Sequence, residues 1–422
     1  MAPSTWTCFV ALATLSLADA CSSGRIADGP DGGGGIAATG GDTAGSTGGP
    51  GAAGSAGSSS GSAGTASAGG SPASGGPGTD GGSDAGPIGT CSPPDDQYSP
   101  ITQLSQTGCV DPSDPTKFSP RAVTYEVNSP LWSDGADKTR AFVLPAGMKI
   151  HVDPTTGHWS FPIGSVMIKN FLFDGKFVET RLFMHMADGT WVGYGYKWNG
   201  QGAAKQTEAT VVGIGRDDVM FDTGKRTVHW YYPSRDDCMR CHNDVAGDTL
   251  GPSNMQLART ITGHTMNQLD ELAAMNVFDA APTAPTADET LVTPYSISDL
   301  TASGTLDQKA RSYLQANCAH CHQPNQGTLM SQFPNFDLRF QTAFKDTGIC
   351  NAMTTKGVVQ GSTSTTILVP GQPMNSVMWV RMNEPPSEDG TTGRMPQIGT
   401  HVVDSMGLQL ISDWITSITA CP

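Results

Sequence analysis

The stretch 22–90 limits what this chain can fold into more than any other feature, because it lacks the side chains that build a hydrophobic core. Of the 52 glycines in the 422 residues, 25 fall between Cys21 and Thr90, mixed mainly with Ser, Ala and Thr. Such low-complexity segments bury too little apolar surface to offset the conformational entropy lost on folding. We therefore predict a disordered Gly/Ser/Ala linker over 22–90 and folded structure only from residue 91 onward.

The first 21 residues are typical of an export signal. An apolar stretch at 6–17 is followed by small residues that lead to Cys21, as at the processing site of bacterial lipoproteins. No Lys or Arg precedes this stretch and Asp19 is unusual beside such a site, so a secretory signal cut near Ala20 stays open. Either signal predicts export. With Cys21 lipidated, we expect a periplasmic, outer-membrane or cell-surface lipoprotein attached to the membrane by a flexible tether.

Charge and hydropathy argue against two other classes of protein. The net charge is −15, and from Cys91 to the end 33 Asp and Glu face 23 Lys and Arg, a difference of −10. A general nucleic-acid binder carries a basic patch instead, so we expect no nucleic-acid partner. The sequence contains no run of about 18 to 20 apolar residues, so we expect no helix that spans a membrane.

Four of the ten cysteines form two copies of one short pattern, Cys-x-x-Cys-His, at 238–242 and 318–322. Two thiols three positions apart lie along one turn of helix, where each forms a thioether with a haem vinyl group. The adjacent His then supplies the proximal iron ligand. The pattern predicts two covalently bound c-type haems with these attachment and ligand residues: Cys238, Cys241, His242, Cys318, Cys321 and His322.

Three other interpretations compete with haem attachment. A zinc ribbon uses two Cys pairs about 15 to 20 residues apart, whereas 76 residues separate Cys241 from Cys318. A thioredoxin-like redox pair needs a preceding buried strand that neither copy shows. Plain disulfides form in an exported protein but give no reason for a His after both pairs.

The remaining cysteines of the folded region are even in number, which is typical of disulfides in an exported protein. They are Cys91, Cys109, Cys350 and Cys421. Nearest-neighbour pairing joins Cys91 to Cys109 and Cys350 to Cys421. Four cysteines allow three connectivities, and the sequence leaves all three open.

Residues 91–235 show a hydrophobic period near two, which predicts a β-rich module, either an antiparallel sandwich or a small barrel. The predicted strands are 165–173, 176–185, 191–198, 209–214 and 226–232. In the strand 191–198 the large side chains share one face, while Gly193 and Gly195 lie on the other. We interpret the large side chains as a core face; a haem-packing or ligand-binding face is the alternative.

After Pro233 the pattern changes to loops and short helices. Apolar spacing predicts helices over 265–277, 305–317 and 404–417, with a Pro-rich linker over 280–294. The predicted fold is therefore multidomain: the β-rich module, a first haem c region over 236–290, and a mainly α cytochrome c-like domain over 295–422 with the second haem.

The second iron needs a distal ligand, and Met395 is the candidate: it precedes Pro396 between the second motif and the last predicted helix, a position that resembles the distal Met loop of class I cytochromes c. Methionine opposite histidine favours reduced iron and raises the potential. For the first iron the alternatives are Met255, His264, a residue of the β-rich module, or no distal ligand. The candidates in the β-rich module are Met184, His185 and Met186. We interpret Met266 and Met275 as core residues.

The region from residue 131 to 418 resembles a family of bacterial dihaem c-type cytochromes that carry a β-rich module ahead of the haems. The matching stretches are 131–138 (Leu-Trp-Ser-Asp-Gly-Ala-Asp-Lys), 159–169 with Phe-Pro-Ile-Gly at 161–164, 179–182 (Glu-Thr-Arg-Leu), 233–235 (Pro-Ser-Arg), 267–269 (Asn-Gln-Leu), 317–322 and 394–396 (Arg-Met-Pro). The resemblance implies covalent haem binding and electron transfer, but no substrate.

We therefore expect an exported, lipid-anchored dihaem cytochrome that carries electrons between partner proteins. Two other functions stay open. In the first, the first iron lacks a distal ligand and binds peroxide or another small ligand while the Met395 haem relays electrons, as in a haem-dependent oxidoreductase of the dihaem peroxidase kind. Alternatively, the β-rich module recognises a glycan or protein at the cell surface, and the haems are accessory.

The acidic charge predicts a redox partner with a basic docking face. Attraction between opposite surface charges accelerates encounter and is screened by salt. We expect the bimolecular electron-transfer rate with a basic donor to fall as ionic strength rises from about 10 mM to about 0.5 M. Stopped-flow kinetics measure this rate. An uncharged small-molecule reductant is the control, and an equal rate with the basic donor at both ionic strengths would contradict the expectation.

Overall fold

The computed structural model describes residues 90–295, 304–324, 336–354, 363–385 and 393–422. They belong to one compact unit that extends from residue 80 to residue 422. The predicted signal, Cys21 and the predicted linker up to residue 89 lie outside the described residues. Within the described ranges, no helix has both the length and the hydropathy needed to cross a membrane.

A six-stranded antiparallel sheet forms the centre of a β-rich region. Its strand order is β10-β9-β8-β7-β4-β3, which leaves β3 and β10 at the edges. These strands are β3 (Val123–Thr124), β4 (Asp137–Val143), β7 (Val166–Phe173), β8 (Lys176–His185), β9 (Trp191–Trp198) and β10 (Ala209–Val211). The period-two pattern therefore predicted β7, β8 and β9 within one residue, while β10 ends earlier than expected.

Three two-stranded ladders accompany the sheet. They are β1 (Val110–Asp111) with β2 (Asp114–Phe118), β5 (His151–Val152) with β6 (Trp159–Ser160), and β11 (Asp217–Asp222) with β12 (Thr227–Tyr232). Strand β12 was predicted and its partner β11 was not. The reason is that Asp217, Asp218 and Asp222 give β11 a polar composition that strands usually lack.

One face of the sheet is mostly apolar, with one hydrogen-bonded polar group of Thr139, Asn170 and Thr180 within it. Val192, Tyr194, Tyr196 and Trp198 of β9 all lie in one buried cluster with Leu104 of the N-terminal segment. The phenol groups of Tyr194 and Tyr196 donate hydrogen bonds to the carbonyls of Gln97 and Ile101 at 3.0 and 2.8 Å. The Cys91–Cys109 disulfide joins the same cluster. The prediction of an aromatic core face on β9 is confirmed.

The opposite face of the sheet has apolar ends and a charged middle. At one end, Met167 and Phe183 pack with residues that follow the first motif, including Leu269 and Leu272. At the other end, Phe171 and Phe173 pack against β11 and β12. The charged middle of this face lines the site described below.

The helices in the described ranges are mostly short. They are α1 (Arg235–Cys241), α2 (Asn254–Leu257), α3 (Gln268–Ala274), α4 (Leu306–Asn317), α5 (Val377–Asn383) and α6 (Ser405–Ser417). Thr305 and Gln308 form a capping box at the start of α4, and Asp404 caps α6. Residues 279–295 contain no helix or strand, as the composition of that segment predicted.

The interpretation of Met266 and Met275 as core residues was wrong. They are 46% and 60% exposed, because α3 is shorter than predicted and buries only the side of Leu269 and Leu272.

Helices α4 and α6 pack together to form the centre of the C-terminal region. Leu314 of α4 and Leu410, Ile411 and Trp414 of α6 share one buried cluster. The Cys350–Cys421 disulfide joins the chain end to this region, so both disulfides follow nearest-neighbour pairing. The helices approach so closely at Gly407 that an added Cβ atom would lie 2.5 Å from the Tyr313 ring.

We expect Gly407→Ala to destabilise the protein. Overpacking costs about 1 to 3 kcal/mol, which exceeds the roughly 1 kcal/mol by which Ala favours a helix over Gly. The matched control is Gly213→Ala, whose added Cβ meets no atom within 4 Å. Urea unfolding measures both variants, and equal stability of the two would contradict the close contact.

Candidate functional site

A cavity of about 650 Å³ lies between the charged middle of the sheet and the C-terminal region. Both Cys-x-x-Cys-His motifs line it, although 76 residues separate Cys241 from Cys318 along the chain. Met395 lines the same cavity. The structure therefore brings together the residues that the sequence predicted for haem attachment and its one strong candidate for a distal ligand.

Helix α1 carries the first motif and is fixed at its start by Asp237. Ser234 and Asp237 form a capping box, and Asp237 also accepts hydrogen bonds from Tyr231 at 2.5 Å and Arg216 at 2.8 Å. Burial raises the pKa of Asp237, but the hydrogen bonds from Arg216, Tyr231 and Ser234 outweigh it and hold the pKa below its usual range. The ionised carboxylate thus anchors α1 to the end of β12.

Strand β9 accommodates α1 because Gly193 has no side chain. A Cβ atom at Gly193 would lie 2.9 Å from the Sγ atom of Cys238, closer than unstrained contacts allow. Phe183, opposite Gly193 on β8, contacts the His242 ring with 4.3 Å between ring centroids. The glycine face of β9, which the sequence left without a role, is therefore the floor under the first motif.

The His242 ring is held in an orientation that leaves one nitrogen for a ligand bond. Its Nδ1 atom lies 2.5 Å from the carbonyl oxygen of Asp248. A histidine that ligates a metal commonly donates its second ring N–H to such an acceptor. Burial, together with the nearby charges of Lys169 and Arg181, lowers the pKa of His242 to about 3, so the imidazole is neutral at pH 7.

The second motif begins where α4 ends. Cys318 is the C-cap residue of the helix, and its carbonyl accepts the backbone N–H of His322 at 2.9 Å. The His322 ring stacks on Phe336 with 4.5 Å between centroids. Burial lowers the pKa of His322 to about 4 and raises that of the Cys318 thiol to about 12. Both imidazoles are thus unprotonated at neutral pH, as iron ligation requires.

The two motifs meet at their second cysteines. Ligand atoms of Cys241, His320 and Cys321 all lie within 4.8 Å of one another. A hydrogen bond between the Cys241 and Cys321 thiols raises the pKa of Cys241 and lowers the pKa of Cys321. The 76 residues between Cys241 and Cys318 argue against a zinc ribbon. They do not keep the two motifs apart in the folded chain.

The donor set fits covalent haem. Each motif presents two thiols and an imidazole that is neutral at pH 7, on residues that line the same cavity. All four motif cysteines are free thiols, whereas the other four described cysteines form disulfides.

Met382 of α5 also lines the cavity and was not predicted. Its position in a short helix gave no signal, since most methionines pack in cores or lie at surfaces. Met395 follows Arg394, whose guanidinium donates to the carbonyl of Val402 at 2.9 Å. The Met395 amide donates to the carbonyl of Arg381 at 3.0 Å. These bonds fix the loop that carries Met395.

None of the ligand candidates for the first iron lines the cavity. Met255 is buried in α2, and His264 is half-exposed with its Nδ1 atom 2.8 Å from Glu271. Met184 and Met186 lie in the apolar cluster on the far face of the sheet. His185 contacts the carbonyl of Phe161 at 3.0 Å and stacks on Trp191. The first motif thus has no assigned distal residue in the described part of the chain.

The β-rich region holds the Met395 loop directly. Both carboxylate oxygens of Asp134 accept the backbone N–H of His401, at 2.9 and 2.8 Å, and Asp134 also accepts that of Val402 at 2.9 Å. The His401 ring stacks on His229 of β12 with 3.7 Å between centroids, and both rings contact Asp218. The stretch 131–138, which carries part of the family resemblance, therefore positions this loop.

A buried ion pair lies in the part of the cavity wall that the sheet forms. Arg181 donates two hydrogen bonds of 2.8 Å to Glu179, and Trp230 donates a third of 3.0 Å. Glu179 is fully buried, and Gly195 makes room for it, since a Cβ atom there would lie 2.9 Å from the Glu179 carboxylate.

No protein-family model, curated protein or solved structure matches the chain.

We expect Arg181→Leu to destabilise the protein by about 3 kcal/mol, because it removes the two charged hydrogen bonds that the buried Glu179 carboxylate accepts. Adding Glu179→Gln should restore much of that loss. The control is Arg226→Leu, which breaks a more exposed pair with Asp174 and should cost about 1 kcal/mol or less. Urea unfolding measures all three, and an equal loss for Arg181→Leu and Arg226→Leu would refute the prediction.

Proposed function

We propose that the protein is an exported dihaem c-type cytochrome that transfers electrons one at a time between partner proteins. One observation carries the proposal: both motifs line a single cavity with four free thiols, while the other four described cysteines form disulfides. In this proposal the β-rich, sandwich-like module forms one wall of the haem site. Helices α4 to α6 belong to a mainly helical, cytochrome c-like region around the second haem.

In this proposal, each Cys and His of the two motifs has one role. Cys238 and Cys241 would hold one haem through thioether bonds, and His242 would bind its iron through Nε2 while Asp248 accepts the Nδ1 proton. Cys318, Cys321 and His322 would hold the other. Bound haem iron supplies reversible one-electron transfer. Phe183 and Phe336 contact the two imidazoles and would shield the iron sites from water, and the neighbouring motifs would hold both haems in one cavity.

A count of covalent haems tests this function. The full chain, expressed with c-type maturation machinery, should carry two haems by intact mass and by pyridine haemochrome absorbance. The double variants Cys238→Ser/Cys241→Ser and Cys318→Ser/Cys321→Ser should each retain one. A wild-type protein without covalent haem would overturn the proposal; one equivalent of zinc in that sample would assign Cys241, His320 and Cys321 to a metal site instead.

A haem-dependent oxidoreductase is the second candidate, and one observation favours it. In the described part of the chain, none of the five distal candidates for the first iron lines the cavity. An iron without a sixth protein ligand binds small molecules. Carbon monoxide added to the reduced protein distinguishes the two functions: an unchanged spectrum supports electron transfer alone, and a shifted Soret band at one haem favours the enzyme.

The proposal includes the kind of redox partner and the cellular location of the protein. The net charge of −15 suits a redox partner with a basic face. A lipid on Cys21 would attach the protein to a membrane, with the stretch 22–90 as its tether.

We expect Met395→Ala to lower the midpoint potential of one haem and to leave both haems attached, because a thioether ligand favours the reduced iron. Met382→Ala is the matched control, since Met382 lines the same cavity. Spectroscopic redox titration measures both variants. A lowered potential in Met382→Ala with no change in Met395→Ala would transfer the ligand role to Met382.

A further inference from the structure

The wall of the cavity carries three cations side by side. Arg140 on β4 pairs in register with Lys169 on β7, and Lys169 pairs with Arg181 on β8. All three residues line the cavity. Side chains opposite each other on neighbouring antiparallel strands have Cβ atoms about 4.5 to 5.5 Å apart, and like charges there destabilise a sheet. The row therefore needs compensating negative charge.

The described residues compensate only one of these three charges. Glu179 is used by Arg181 and Trp230, as described above. The acid whose charge acts on Arg140 is Glu126, which pairs with Arg259 at 3.2 Å. Within the described ranges, neither Arg140 nor Lys169 has an ion-pair partner. Two positive charges thus face the cavity without an ion-pair partner among the described residues.

Burying such a row of cations costs free energy of folding. An unpaired charge taken out of water costs free energy unless a counterion meets it. Burial, and then the charges of Arg140, Lys138 and Arg181, lower the pKa of Lys169 well below its usual range. A bound anion would offset both the desolvation cost of the unpaired charges and the repulsion between neighbouring cations.

We propose that Arg140, Lys169 and Arg181 form a binding site for anionic oxygens, either two carboxylates or one small oxyanion, inside the cavity. Two sources fit this chemistry. The first is the pair of propionate carboxylates of the haem held by Cys238 and Cys241, which rests on the proposed function. The second is a free oxyanion that enters as a substrate.

The position of the row suits the first source. Arg181 lies two residues from Phe183 along β8, and Gly195 lies two residues from Gly193 along β9. Two residues of strand span about 7 Å. The cations therefore lie beside the floor on which the first motif packs, so the β-rich module would supply charge to the first haem as well as a surface.

Three neutral variants of the full, haem-loaded chain test the site: Lys169→Gln, Arg140→Gln and the control Lys197→Gln. Lys197 lies on the same sheet but pairs with Asp217 at 3.1 Å and does not line the cavity. With propionates as the ligand, both cavity variants should shift the reduction equilibrium of one haem about tenfold towards the oxidised form, or about 59 mV for one electron. Lys169→Arg should restore it.

With a free oxyanion as the ligand, the potentials should stay unchanged in phosphate-free buffer. Inorganic phosphate should then bind the wild-type chain with one equivalent by calorimetry, and at least tenfold more weakly in the two cavity variants. Potentials and phosphate binding equal to those of Lys197→Gln in both cavity variants would overturn the proposal.

One further measurement keeps the result interpretable. Intact mass of each sample counts covalent haem, so a chain without haem refutes the proposed function while its phosphate titration still decides the anion site.

Discussion

The close approach of helix α1 to strand β9 is the contact on which the rest of the site depends. It is possible only because Gly193 lacks a side chain where Cys238 packs. Asp237 holds the other side of the helix through Ser234, Tyr231 and Arg216. With α1 in this place, the first motif lies on the sheet, and its last thiol reaches the second motif at Cys321. Sheet packing thus sets the distance between two sequences that are far apart in the chain.

The same sheet explains how a β-rich module and a helical region form one site. Its far face is mostly apolar and packs against the N-terminal segment, which stabilises the sheet. Its near face is apolar only at the two ends and charged between them. A charged strip on a buried face stabilises no fold by itself, since desolvated charges cost more than apolar groups of the same size. We therefore interpret the strip as functional.

Much of the β-rich region was predictable, because strands with one buried face alternate in hydrophobicity. The strands β7, β8 and β9 and the sharing of one face by Tyr194 and Tyr196 were all correct. Helices α4 and α6 were correct within a residue, since each has an amphipathic pattern and a polar capping residue. Helix α3 was predicted too long, and Met266 and Met275 were placed in the core although solvent surrounds them. Periodicity reports which side chains share a face, but not whether a neighbour covers it.

The sequence by itself determined the inventory of chemistry: two pairs of thiols each followed by His, an even set of other cysteines, and Met395 before Pro396. These depend on residues a few positions apart, and local spacing carries that information. Only the tertiary structure decided that both motifs line one cavity, that Met382 joins Met395 there, and that His264 and Met255 lie elsewhere. It also placed Arg140 and Lys169 beside Arg181. Such neighbours come from strand register and helix packing, which join segments that no short-range pattern connects.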